Sequence, residues 1–458
     1  MIRGNVTVVL ALILSLIMSL FITLVGGVRN NAVWGKANIV AQAGMDSIFA
    51  EFNKELLNQY ELFYIDTTYA ESVGGIGETL YRLEEYVEAN IDKTKGKWYL
   101  PSRNFTKLKT KSTELIAYQI ASDSYGESIK EQAISAYESK YGGAIIEQII
   151  DNHELIKTYE LDGKDMVKEQ EELIKQLDSD VEDSESDKLE RDEEKTKNVF
   201  GVVPEEYVIA PIDLTEKYKS QIGKIKEASI DIYSTTYYRE LEEGVYSKER
   251  EKKDFNIVEE VVFNEYLLDK CSCYMDELEK SNMSYQVEYM ITGYASNKDN
   301  FNAFLNRIFG IRMVDNYLQI IKNQTIVNVT KVAATAIAAL IYMPSLEPVI
   351  TQIILIYMAY DQSDKDMKII LKGGSVSLTS ESGPKLGYKD YLRAFLLITN
   401  SKKKICRFMD IVEDDIRYTT NNSDFQLDRC VDFLNVEFIF SSEYGENIIF
   451  NKEKKYME

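Results

Sequence analysis

From Asn5 to Val28 the chain reads NVTVVLALILSLIMSLFITLVGGV, without one charged side chain. As a helix, a run of that length rises about 36 Å, against a hydrocarbon core of about 30 Å. Arg3 stands before it and Arg29 after it. A cleavable secretory signal is the competing reading, but such a signal has an apolar region of about 7–15 residues and ends at a small-residue site. The run is longer than that, and its flank VGGVRNNAVWGK offers no convincing site. Residues 1–28 therefore read as an uncleaved transmembrane anchor, with Val8, Leu12, Leu16, Leu20 and Leu24 along it. Basic residues on the two sides nearly balance, so the positive-inside rule decides little. The large acidic body that follows favours a cytoplasmic N-terminus and an extracellular body in a single-pass membrane protein.

Charge and composition narrow the chemistry. The chain has 75 acidic against 53 basic residues, a net charge of −22, which repels phosphate backbones and disfavours nucleic acid as a partner. One histidine, His153, excludes a histidine-rich metal centre and most histidine-based acid–base catalysis. Four cysteines in a chain this long exclude a disulfide scaffold. Six prolines and 23 glycines are few, which favours long helices.

After the anchor, Met45, Ile48, Phe49, Phe52, Leu56, Tyr60 and Phe63 recur at steps of three and four, the apolar face of an amphipathic helix. No proline intervenes, so the membrane helix is expected to run on as a stalk over residues 29–66, with Gly26 and Gly27 as the only flexible joint. Residues 67–160 read as an α+β segment: a helix from 78 to about 92, one or two strands between Asn104 and Gln119, then helix with Ile129, Ala133, Tyr137 and Tyr141 spaced by four. Residues 161–200 are dense in Glu, Asp, Lys and Ser, a solvated helix or loop. Residues 201–458 form a mainly helical body. In it, short strands and helices mix over 203–245, and helices dominate 256–326. Two apolar runs, 332–343 and 349–360, flank the turn PSLEP. Each is too short to span a bilayer, and Glu347 lies between them, so they read as buried helices joined by a turn rather than a re-entrant membrane loop. Tyr388–Asn400 and Lys404–Asp415 read as helices, and Val431–Ser441 alternates as a strand able to pair with the one near 104–119. The class is α+β, mostly helical, with a small antiparallel sheet.

No stretch carries a strong catalytic signature. Asp178, Asp180 and Glu182 alternate like the start of a calcium loop but lack its glycine and its bidentate glutamate, so a surface insertion is the better reading. Cys271 and Cys273 form C-x-C, while Cys406 and Cys430 stand alone. A four-thiolate zinc site has only one close pair to start from, a Cys406–Cys430 disulfide is open, and buried free thiols suit at least two of the four. Paired carboxylates are the only catalytic machinery this composition offers, with Glu288, Glu347, Asp390 and Asp410 in apolar contexts. Pairing with Arg312, Arg393 or Arg407 as buried ion pairs explains them more simply. No catalytic residue, cofactor site or metal site is assigned. The alternatives to a structural role are an extracellular carboxylate-dependent enzyme on cell-wall glycan and a surface binding module. The 31 tyrosines suit a core with some interface.

Three stretches together resemble a known family. They are GNVTVVLALILSLIMSLFITLVGGVR with the stalk GMDSIFAEFNKELLNQYELFYID; YQVEYMITGYASNKDNFNAFLNRIFGIRMVDNY over 285–317; and EPVITQIILIYMAYDQSDKDMKIILKGGSVSL, GYKDYLRAFLLI and RFMDIVEDDIR over 347–417. They resemble uncharacterised membrane-anchored proteins of Gram-positive bacteria. The N-termini of those proteins are similar to TadE/TadG-like pilus-assembly proteins of the tight-adherence (Flp-type) system, a branch of type IV pili and type II secretion. The resemblance implies a minor pseudopilin-like accessory component with pilus or secretion-system proteins as partners. Gly4 ends a short basic leader in outline and is the candidate processing site. Val9 occupies the place of the glutamate that pilins carry, which points to an anchored accessory protein over a bulk filament subunit. Glu288, Arg312, Asn316, Arg407 and Asp410 match recurring polar positions and are expected to form one buried polar network locking helices together.

Overall fold

Helix α1, Arg3–Phe49, opens the structure, a computed structural model that describes residues 3–69, 74–91, 106–142, 213–245, 256–378, 383–443 and 445–456. The chain divides into two compact units. The first comprises Met1–Ser135, Glu240–Asp254 and Thr419–Glu458, and the second Ala136–Arg239 and Phe255–Tyr418. The acidic insertion at 161–200, its three calcium candidates and His153 lie outside the described residues.

In the first unit, α1 runs unbroken through Gly26 and Gly27, so the expected joint is helix. The strong helix formers around the pair outweigh a cost of about 1 kcal/mol per glycine. From Val33 the helix acquires a buried stripe, Val33, Ala37, Val40, Ala41, Met45 and Ile48, against Leu83, Val87 and Ile91 of α3, Ile76–Ile91. A Cβ on Gly44 would come within 2.7 Å of Val87 Cγ2, so glycine there permits close approach of the two helices.

The stalk does not stay helical to residue 66. It ends at Phe49, and α2, Lys54–Tyr60, is a separate helix. Asn53 causes the break: its side chain accepts from Glu55 N–H and Leu56 N–H at 3.0 and 3.1 Å, the N-cap geometry. The apolar periodicity survives the break, because Leu56 and Tyr60 remain buried. Strand β1 (Ile65–Asp66) follows α2, strand β2 (Leu108–Ile120) follows α3, and helix α4 (Asp123–Tyr141) comes next.

The last strands of the chain, β5 (Cys430–Ser442) and β6 (Gly445–Lys455), belong to this unit's sheet. β5 is central and antiparallel to β2, with Thr113 opposite Phe438 and Tyr118 opposite Leu434, as the alternation at both places predicted. β6 forms a hairpin with β5, and β1 adds Ile65 opposite Val431. Val431, Leu434, Val436, Phe438 and Phe440 enter the core that also receives α1.

The second unit is helical. In chain order it contains α5 (Leu214–Lys217), α6 (Lys219–Ile222), α7 (Ile257–Lys270), α8 (Gln286–Thr292), α9 (Asn297–Lys322), α10 (Gln324–Leu340), α11 (Glu347–Ile370), the short pair β3 (Val376–Ser377) and β4 (Lys385–Leu386), α12 (Tyr388–Ile398) and α13 (Ser401–Thr420). Over 213–245 the expected strands are absent among the described residues. ASIDIYSTTYY turns instead, where Asp231 caps the 3-10 turn Ile232–Ser234 by accepting from Tyr233 N–H.

The apolar pair is two helices joined by a turn, but it is not buried. Only Thr330, Ala334 and Ala338 of α10 are fully buried, with Ile326 and Val327 half-buried; Val329, Val332, Ile337 and Leu340 are exposed, as are Ile341, Tyr342 and Met343 of the turn. On α11, Thr351, Leu355 and Ala359 face inward while Ile353 and Tyr357 face out. Small side chains bring the two helices together. Of the large ones on α10, Ile326 packs on the cluster of Tyr317, Leu355 and Ala359, while those from Val329 onward stay exposed on the outermost helix of the α9, α11, α10 layer.

Candidate functional site

The anchor comes first. From Val8 to Val28 every described side chain of α1 is exposed, with Val8 at 59%, Leu12 at 65%, Leu16 at 72%, Leu20 at 66% and Leu24 at 61%. The Thr23 hydroxyl donates to Ser19 O at 2.9 Å, so that hydroxyl is satisfied within the helix, as a polar group in hydrocarbon must be. Trp34, half exposed just past Arg29, stands where an interfacial aromatic would. Gly4 lies in the first turn of the helix. The long apolar helix fits a single-pass membrane anchor.

In the second unit, the polar candidates gather around two helices. The first is α8, seven residues long and buried along most of its length. Gln286 Nε2 donates to Asp415 Oδ2 at 2.7 Å, the Tyr289 hydroxyl donates to Asp410 Oδ2 at 2.9 Å, and Arg407 Nη1 donates to Met290 O at 2.8 Å. All three tie α8 to α13. Asp410 Oδ1 also accepts from Thr236 N–H at 2.7 Å. Burial pushes the Asp410 carboxyl up to about 6, against the hydrogen bonds from Thr236 and Tyr289.

Glu288 is wholly buried on the same helix. Its Oε1 accepts from the Tyr388 hydroxyl at 2.6 Å and from Tyr274 N–H at 3.0 Å, while Oε2 has no partner among the described residues. Tyr274, Tyr285, Phe301, Phe304 and Tyr388 form a chain of stacked and edge-on rings around it. Burial among those rings raises its carboxyl to about 7, and the Tyr388 bond opposes the shift.

α8 closes on Gly293, whose φ of +78° is left-handed. A Cβ there would meet Arg407 Nη2 at 2.1 Å. Gly293→Ala is therefore expected to destabilise the second unit by about 2 kcal/mol or more, through backbone strain and displacement of the guanidinium. Chemical denaturation of wild type and variant side by side checks this.

The second helix is α9. Arg312, 2% exposed, donates through Nε and Nη2 to Asp366 Oδ2 at 2.9 and 2.7 Å, and through Nη1 to Asp315 Oδ2 at 2.9 Å and Ser377 O at 3.1 Å. Asn316 Nδ2 donates to the same Asp366 oxygen at 2.8 Å and to Ser363 Oγ at 3.0 Å. This cluster joins α9 to α11 and β3.

The expected single network is thus two seams. Glu288, Arg407 and Asp410 share α8; Arg312 and Asn316 share α9. Of the anticipated ion pairs, Asp390 with Arg393 forms, part-exposed rather than buried, and the other arginines find different partners. Arg312 pairs with Asp366 and Asp315, Arg393 with Glu265 and Asp390, and Arg407 binds a backbone carbonyl. Glu347 accepts from the Thr351 hydroxyl. Sequence reasoning missed Asp366, Tyr388 and Thr236. It also missed buried Lys404, whose Nζ reaches Glu260 at 2.8 Å and Asn264 at 2.6 Å on α7. Lysine and arginine sitting inside otherwise apolar helical faces were the available signal.

All four cysteines are buried thiols outside any disulfide, so the open Cys406–Cys430 disulfide is not formed. Among the described residues no group of three His, Cys, Asp or Glu converges as a metal site. One cavity of about 140 Å³ is lined by Asp231, Asp410, Glu413, Asp414 and Arg417, among others. Arg239 engages Glu413 through both terminal guanidinium nitrogens, Nη1 and Nη2, at 2.6 Å. The cavity is below the range of about 300 Å³ and upward that small-molecule sites occupy.

Two overlapping stretches, residues 214–384 and 379–442, match the family of unknown function DUF5702. The chain belongs to that family. The matched stretches span α5 to β5 and include every residue of both polar seams; α1 lies before them. No curated protein matches the chain. No solved structure matches it either.

Proposed function

We propose that this DUF5702 member is a membrane-anchored accessory component, minor pseudopilin-like, of a Tad/Flp-type pilus or related secretion apparatus. It acts through protein contacts rather than catalysis and has no nucleic-acid partner. The observation that carries the reading is α1: one unbroken helix whose first half is apolar and bare and whose second half is packed into a folded unit. A rod of this kind couples a membrane assembly to an outer body without a hinge. Val9, in place of a carboxylate, leaves the bare half without a group to neutralise a neighbouring amine, which suits a static member over a filament subunit. The body, on this reading, is extracellular and the N-terminus cytoplasmic.

The test is genetic complementation in the native host. Deleting the gene is expected to abolish piliation, counted by electron microscopy. The full chain restores it, and a chain lacking residues 1–28 does not. Normal piliation in the deletion strain would overturn the role.

A further inference from the structure

The exposed face of the α10–α11 hairpin has an organisation that a bundle surface does not need. On α10, Val329, Ala333, Ala336, Ile337 and Leu340 recur at steps of four, three, one and three, a stripe about 100° wide. All five are exposed, and the stripe lies away from the Thr330, Ala334 and Ala338 seam that packs on α11. It ends on Leu340, 78% exposed, and continues into the turn, where Tyr342 is 91% exposed with Ile341 and Met343 beside it.

Charge distinguishes this helix from the rest of an acidic chain. Among the described helices longer than four residues, α10 alone has no acidic side chain, and its one charge is the exposed Lys331. Glu347 lies beyond the turn, at the first position of α11. An amphipathic helix with an apolar stripe, a basic residue off the stripe and no carboxylate is complementary to a phospholipid surface. α1 already ties the chain to a bilayer.

We propose that α10 and its turn form a second, interfacial membrane contact. The stripe Val329–Ala333–Ala336–Ile337–Leu340 and the tip Ile341–Tyr342–Met343 sit in the headgroup–acyl boundary, with α10 lying along the surface. This does not cross the bilayer, which matches the helix length and leaves Glu347 at headgroup level. The inference rests on the membrane tether and not on the pilus role, so piliation phenotypes do not bear on it.

The experiment uses the full chain in phosphatidylcholine vesicles. The native cysteines are buried, so single introduced cysteines label selectively with a nitrobenzoxadiazole probe. Ala336→Cys and Leu340→Cys place it on the stripe, and Thr335→Cys places it away from the stripe's centre at another exposed position of α10. The expected result is blue-shifted emission quenched by spin-labelled lipid at 336 and 340, with water-like emission at 335. Water-like emission at all three overturns the proposal. So does a blue shift that lipid does not quench and that disappears when the protein-to-lipid ratio is lowered, the signature of a second copy covering the face.

Discussion

Replacing Arg312 with methionine is expected to destabilise the second unit by about 3–5 kcal/mol, because it leaves Asp366 and Asp315 buried without their cation. The guanidinium supplies four hydrogen bonds to the two carboxylates and a β3 carbonyl. Asn316 alone would remain to Asp366, together with a single bond from Gln362 to the other oxygen. Amide hydrogen exchange of α9 and α11 in the full chain reads the effect directly, as a loss of protection of about 100-fold or more. Arg393→Met is the internal control. Its ion pair with Glu265 has an arginine side chain 35% exposed, and its loss is expected to cost about 1 kcal/mol or less. Equal effects at the two arginines would mean that the α9 seam is not a buried charge cluster.

How much of this was legible in the sequence depends on whether the signal was local. The anchor was legible because length and absence of charge are read directly from consecutive residues. The pairing of β5 with β2 was legible because both strands alternate. β6 was not, because its run NIIFNKEKK carries three lysines on a strand with few side chains in the core. The break after Phe49 was overlooked although Asn53 is a standard cap, since the apolar spacing continued across it. Within the polar seams, the residues nominated from apolar contexts are buried or half-buried. Their partners were not legible, since Arg312 finds Asp366 on a helix 54 residues away and Glu288 finds Tyr388 100 residues away. Partner choice is a tertiary property that periodicity does not encode. The α10–α11 hairpin marks the sharpest limit. A buried helix and an apolar helix at the surface share a composition, so the sequence does not show that on α10 only Thr330, Ala334 and Ala338 are buried.

Glu288→Gln is expected to change how stability depends on pH, more than stability at any one pH. The folded-state carboxyl is raised to about 7 from the ordinary value of 4.5 by burial. Its favourable contribution is therefore fully present below about 4.5, where both states hold the proton, and is lost as pH rises through 7. Across that window the lost stability is about 3 kcal/mol. Glutamine keeps an oxygen for the Tyr388 hydroxyl and the Tyr274 N–H and carries no proton to lose. The variant is expected to match wild type near pH 4 and to exceed it by about 2–3 kcal/mol at pH 9. The wild-type slope will not vanish entirely in the variant. Asp410, raised to about 6 by burial, titrates over an overlapping range with the same sign. Denaturation midpoints of both proteins from pH 4 to 9 decide the matter. Parallel curves would place the Glu288 proton outside the folding equilibrium, and a wild type that gains stability between pH 5 and 8 would reverse the sign of the argument.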